Sequence, residues 1–379
     1  MQHSQPRPDN PVRFTIAFTR LTTLLSVAAL LASTTACVTN FGPRMVQPAR
    51  FNYNQAIANS HDQQLLLNLV RLRYRDTPVF LSVGSVLTQY TIEGSAAASV
   101  SDFRDTVVDV GAGIAYSEKP TITYTPLQGE QFARRMLTPV APEALILLAQ
   151  SGWSIERLAL CCVEQMNTLR NAPSASGPTP DYTPRYAEFK RVARLLRELQ
   201  IAGMIDLRLE DAAAEDDRQT RLFMQTRPNT TWRDKVTEIR SLLGLPEDRS
   251  EFRLTSRLTG ADDEISIRTR SIYGTLSYLS QAVVPPDSHK AAGKVTRTPG
   301  ADGSELNWTD VLGGIFKVHS SARPPNDAFV AVRYRDHWFF IADDDLQSKT
   351  TFNMVTLIFA LQATPASGAG PLLTVNTGR

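Results

Sequence analysis

The sequence predicts an α+β fold, with helices mixed into a mainly antiparallel sheet and the chain divided between two subdomains. Three observations predict it. Apolar residues recur at helical spacing in some segments and alternate in others, without the regular strand–helix–strand succession of a parallel sheet. The stretch NAPSASGPTPDYTP, residues 171–184, is rich in proline and serine and reads as a linker or long loop. It separates an N-terminal α+β domain over 51–170 from a C-terminal α+β domain over 185–379. Near the end, two alternating strands at 329–334 and 337–342 flank Arg335 and Asp336 in the pattern of a tight hairpin.

The elements follow in order. Ser60 caps a helix, with Gln63 at capping-box spacing, and Leu65, Leu66, Leu69 and Leu72 on one side. A β-rich section at 79–126 shows partial alternation, with a loop expected in SAAASVSDFRD and a turn at 117–120 before TITYT. Helices are expected at 130–137, 142–150 and 155–169, the last capped by Ser154. After residue 184 come an arginine-rich amphipathic helix at 186–201, strands in MIDLRLE and RLFMQTR around an acidic loop at 211–217, and a helix at 232–243. FRLTSRL reads as a strand, SIYGTLSYLSQAV as a helix and 315–319 as a strand. The segment SKTTFNMVTLIFALQA reads as a mostly buried helix with Ser348 as its cap, and PLLTV as a final strand. The sequence RYRD at 333–336 echoes RYRD at 73–76, one in a hairpin and one at a helix end.

With 379 residues, 42% hydrophobic and 21% charged, the chain is long enough for about two domains with a sizeable core. Lys and Arg number 40 against 38 Asp and Glu. Arg7, Arg13 and Arg20 against Asp9 at the start account for that excess, so the rest is balanced. A balanced body carries no electrostatic footprint for nucleic acid.

Arg13 and Arg20 precede an apolar run, LTTLLSVAALLA at 21–32, which has the length of an export-signal core and is too short to span a bilayer permanently. Small residues Ser33, Thr34, Thr35 and Ala36 follow, then Cys37. This arrangement resembles a bacterial lipoprotein signal peptide, although Thr34 stands where an aliphatic residue is usual. The resemblance implies removal of residues 1–36, lipidation of Cys37, a polar tether over 37–50 and a membrane partner reached through the lipid. Several acyl chains hold a protein stably where one does not. Val38, in place of the aspartate associated with inner-membrane retention, points to the outer membrane.

Chemistry-bearing motifs are absent from the sequence. There is no G-x-S-x-G elbow, no P-loop, and GAG at 111–113 lacks the rest of a dinucleotide fingerprint. His61, His289, His319 and His337 are scattered, with no metal-ligand spacing. Cys161 and Cys162 are adjacent on a predicted helix and read as small buried thiols. The acidic run at 262–264 does not establish by proximity the facing carboxylates that glycosidase chemistry needs, and the run at 343–345 reads as a helix start. No catalytic, cofactor-binding or metal-binding residue is assigned, and no cofactor is expected.

The segments NLVRLRYRDTPVFL and VRYRDHWFFIADDDLQSKTTF resemble bacterial lipoproteins of unassigned activity. The expectation is therefore a lipid-anchored envelope lipoprotein without enzymatic activity. It would bind, scaffold or assist assembly at the periplasmic face of the outer membrane, with an envelope protein or glycan as partner. Two alternatives stand beside it: an envelope hydrolase with an unfamiliar site, and a subunit of an oligomeric outer-membrane export channel that contributes its 79–126 strands to the barrel.

Overall fold

The computed structural model describes residues 43–101, 107–176, 185–210, 219–224, 230–257, 261–300 and 302–362. The leader, Cys37, the acidic loop at 211–217, residues 177–184 of the expected linker and PLLTV at 371–375 lie outside the described residues. The chain divides into two compact units, Met1–Ser60 and His61–Arg379.

Helix α1, Pro43–Arg73, starts well before Ser60. The expected tether is therefore helical from residue 43, and Ser60 and Gln63 lie inside the helix. Pro43 sits at the first helical position, where a missing N–H costs nothing. No glycine follows until the helix has ended, so Pro48 in the second turn is the only breaker met. Leu66, Leu69, Val70 and Leu72 form the buried stripe. The end is set by Arg75 at φ 61° and by Asp76 N–H returning to the Arg71 carbonyl at 2.9 Å.

Strands β1, Leu81–Ser101, and β2, Val107–Pro126, pair antiparallel from Leu81↔Pro126 to Ser101↔Val107, with one bulge at 83–85. Of the loop expected at 95–105, residues 95–101 are strand and the rest lie outside the described residues; the turn expected at 117–120 is strand. Small residues there have weak strand preference of their own, and continuous pairing overrides it. Pro120 is tolerated because each strand of a two-stranded ladder is an edge. Among the described residues no third strand pairs with either.

Helices α2, Glu130–Leu137, and α3, Pro142–Gln150, match expectation. Helix α4, Ile155–Cys162, is capped by the Ser154 side chain but stops seven residues short of the expected end. Val163 turns extended, and β3, Val163–Met166, and β4, Leu169–Arg170, follow. The cause is tertiary. Asn171, fully buried, donates to the carbonyls of Leu160 at 3.0 Å and Val163 at 2.7 Å. Arg270, also buried, donates to Cys161 at 3.3 Å and Val163 at 2.8 Å while stacking 3.9 Å from the Tyr278 ring. A cation and an amide thus cap the carbonyl end of α4.

Beyond the expected linker come α5, Ala187–Ile201, β5, Ile205–Glu210, β6, Gln219–Met224, α6, Thr230–Leu243, β7, Glu251–Thr255, and β8, Glu264–Thr269. The strands join in one six-stranded sheet ordered β4-β3-β8-β7-β6-β5, parallel only between β7 and β8. Strands from both sides of 171–184 therefore share a sheet, and this stretch does not separate two cores. Asn171, Ala172 and Ala175 within it are fully buried.

The rest comprises α7, Ile272–Ser280, the short helices α8, Asp287–Ala291, and α9, Trp308–Val311, then β9, His319–Ser321, β10, Ala328–Tyr334, β11, His337–Ala342, and α10, Leu346–Gln362. The second sheet runs β10-β11-β9, all antiparallel. Arg335 and Asp336 both have positive φ, as a two-residue hairpin turn requires. Asp345, rather than Ser348, caps α10, accepting from Ser348 N–H at 3.0 Å and its hydroxyl at 2.6 Å. The architecture is α+β and mostly antiparallel. No described helix is long and apolar enough to cross a membrane.

Candidate functional site

The two RYRD sequences meet. One closes α1 and the other spans the β10–β11 turn, and each supplies half of a single cluster. Arg335 places its guanidinium 2.8 Å from the Asp76 carboxylate, and the Tyr334 hydroxyl donates to the same oxygen. The Arg335 guanidinium lies 5.0 Å from the centre of the Tyr74 ring. Tyr74 is buried, edge-on to Tyr334 and His289 at 5.6 Å and to Phe339 at 6.1 Å. Its hydroxyl is 2.6 Å from His289 Nδ1, and the His289 ring is 4.8 Å from that of His337. Arg73, buried beside them, donates to the carbonyls of Val283 and Thr296.

The electrostatics follow from burial. Desolvation pushes the Tyr74 phenol up to about 12. Burial lowers His289, and the positive charge of Lys294 and its neighbours lowers it further. The Tyr74–His289 hydrogen bond thus joins two uncharged groups at neutral pH. Burial tends to raise the Asp76 carboxyl, but the hydrogen bonds from Tyr334 and Arg335 outweigh it and hold it below the ordinary range. Asp76 is committed to the tyrosine and the arginine, so it does not orient a histidine as a hydrolytic relay requires. The cluster is a clasp between a helix end and a hairpin.

The remaining sequence candidates do not converge with it. His319 stacks on Phe340 at 5.5 Å, and His61 lies on exposed α1 surface. Cys161 and Cys162 are free, fully buried thiols, with burial pushing Cys162 up to about 12 and Cys161 higher. Asp263 and Glu264 pair with Arg253, and Asp343 with Lys349. Among the described residues no three His, Cys, Asp or Glu side chains are grouped to hold a metal. On the β10–β11 hairpin, Phe339 is core while Trp338 and Phe340 are half-buried.

Beside the clasp lies a cleft of 480 Å³ that sequence reasoning missed. Phe80, Phe132, Met136 and Leu137 supply apolar wall, with Leu137 63% exposed. Asp76 stands at its edge, and Ser277 and Gln281, four residues apart on the α7 face, contribute to its lining. Both are buried, and Ser277 Oγ and Gln281 Oε1 have no hydrogen-bond partner among the described residues. An apolar wall with a few polar groups is the composition of a binding cleft. The only sequence signal was serine and glutamine on an otherwise apolar helix.

Comparison with known proteins finds no matching family model, no similar curated protein and no similar solved structure.

Proposed function

We propose that this chain is a lipid-anchored bacterial envelope lipoprotein, carried by Cys37 at the periplasmic face of the outer membrane, whose body works by binding rather than catalysis. The cleft between the end of α1, α2 and α7 carries the reading of a binding body. Its walls are mainly apolar, and in its lining the buried Ser277 Oγ and Gln281 Oε1 have no hydrogen-bond partner among the described residues. A glycan needs many hydrogen bonds, and although Arg75, Thr77 and Gln128 also line the cleft, apolar residues make up most of its wall. An apolar segment of an envelope protein bearing a single amide or hydroxyl matches them better. The clasp supports the non-catalytic reading, since its carboxylate is held by Tyr334 and Arg335.

Two measurements test the proposal. Mass spectrometry of the membrane-extracted protein should find an acylated N-terminal peptide beginning at Cys37; an unmodified cysteine there sinks the anchor. A photocrosslinking residue in place of Leu137, at the cleft mouth, should capture one reproducible envelope protein in intact cells. Leu137→Asp should reduce co-purification of that protein about tenfold or more, by placing a charge on apolar surface. No adduct above background would sink the binding role.

A further inference from the structure

We infer that β1 and β2 form a membrane-spanning hairpin, which joins the hairpins of further copies of this chain in a closed β-barrel. The inference goes beyond the cleft and does not depend on it. It starts from the ladder. Twenty residue pairs are in register in a ribbon that no third strand completes among the described residues. A lone two-stranded ribbon is marginal in water, and each of its edges presents unpaired backbone groups. Closure with identical neighbours removes both edges.

The faces say where such closure occurs. Successive residues of a strand belong to opposite faces. By register, one face carries Ile92, Gly94, Ala96, Ala98 and Val100, opposite Tyr116, Ile114, Ala112, Val110 and Val108. No charge interrupts those ten positions. The other face of the same band carries Glu93, Ser95, Ala97 and Ser99, opposite Ala115, Gly113, Gly111 and Asp109. This is the apolar-out, polar-in alternation of a barrel wall.

The length fits a bilayer. From residue 92 to residue 100 is eight steps, about 26 Å along the strand at roughly 3.3 Å each. A tilt of about 40° leaves about 20 Å along the membrane normal, most of the ~25 Å apolar band of outer-membrane barrels. Tyr116 closes the band on its apolar face, and Tyr90, opposite Glu118, follows one step further out on that face. Tyrosines at that level are the interfacial girdle of such barrels. The same face continues toward the body through Ile122 and Tyr124, which stand 42% and 51% exposed.

The test uses the full-length lipidated protein in phosphatidylethanolamine–phosphatidylglycerol vesicles. Cysteine substitutions, one per variant, at residues 92 to 100 and 108 to 116 are reacted with a membrane-impermeant maleimide. Cys161 and Cys162 are fully buried and leave the background low. Labelling should alternate, with Glu93→Cys, Ser95→Cys and Ala97→Cys reacting about tenfold faster or more than Ile92→Cys, Ala96→Cys and Ala98→Cys. Equal labelling of both faces would overturn the inference. The unsubstituted protein should crosslink in the vesicles as a heat-labile multimer, and a monomer would overturn it as surely. Because a variant can fail for other reasons, Ala96→Arg and Ala97→Arg are compared as neighbours. The first should cut the multimer about tenfold or more and the second should leave it; equal effects count against the barrel.

Discussion

Asp76 and Arg335 stand 259 positions apart in sequence, and their side chains meet at 2.8 Å. The contact binds the last turn of α1 to the β10–β11 turn. Tyr334 adds a second donor to the same carboxylate, and Tyr74 fills the space beneath. The ion pair is about one-third exposed on each side, so its strength is modest and its effect is geometric.

A double-mutant cycle measures the pair. Asp76→Ala and Arg335→Ala should each destabilise the protein in urea, with a coupling energy of about 0.5–1 kcal/mol. Tyr334→Phe should lose about 1 kcal/mol from the same carboxylate. Strict additivity of Asp76→Ala and Arg335→Ala would mean the contact contributes nothing.

Acid should loosen the clasp in two stages. His289 is held below its usual 6.5, so the unfolded chain binds its proton first as pH falls. Its contribution is complete above about 6.5 and declines as pH drops through and below that value. Asp76 is also held low, so its contribution is complete above the ordinary carboxylate range and is lost as pH falls through its folded value. His289→Gln should flatten the upper stage of the stability–pH curve, and Asp76→Asn the lower. An unchanged curve in both variants would contradict the assignment.

Arg270→Met should cost about 2–4 kcal/mol, because it strips donors from several buried carbonyls at the end of α4 while keeping most of the volume. Chemical denaturation reads this directly. A loss below about 0.5 kcal/mol would show that Asn171 alone suffices as the cap.

Neither Cys161 nor Cys162 should react with a small neutral thiol reagent at pH 8 in the folded protein, because burial disfavours both thiolates. Both should react promptly in guanidinium chloride. Reaction at the native rate of an exposed cysteine would place these residues outside the core.

Local pattern revealed what local pattern controls. The amphipathic helices at 130–137 and 142–150 and the β10–β11 hairpin were legible because periodicity and turn chemistry reside in a few neighbouring residues. Val163 and Leu169 continued a helical spacing that the chain abandons, since the deciding partners, Asn171, Arg270 and β8, lie beyond the window. The short helices at 287–291 and 308–311 hold too few turns to establish a period. Residues 95–101 become strand through their partners rather than by preference. The two RYRD sequences were visible as an echo, but nothing local says that an echo is a contact. The cleft is a property of three elements packed together, and its only linear trace was Ser277 and Gln281 on a mainly apolar helix.

The order of strands in the large sheet has a consequence for synthesis. The hairpin β3–β4 and the meander β5–β6–β7 each assemble from neighbours, yet among the described strands they are joined in the sheet only through β8, which pairs with both. While the roughly 100 residues between β3 and β8 are added, the β3–β4 border stays bare for about 5–20 s at ordinary elongation rates, whereas the meander waits only for the eight residues between Thr255 and Glu264. A nascent polypeptide ending before residue 264 should therefore depend on a holding chaperone, whereas one extended past residue 270 can seal itself.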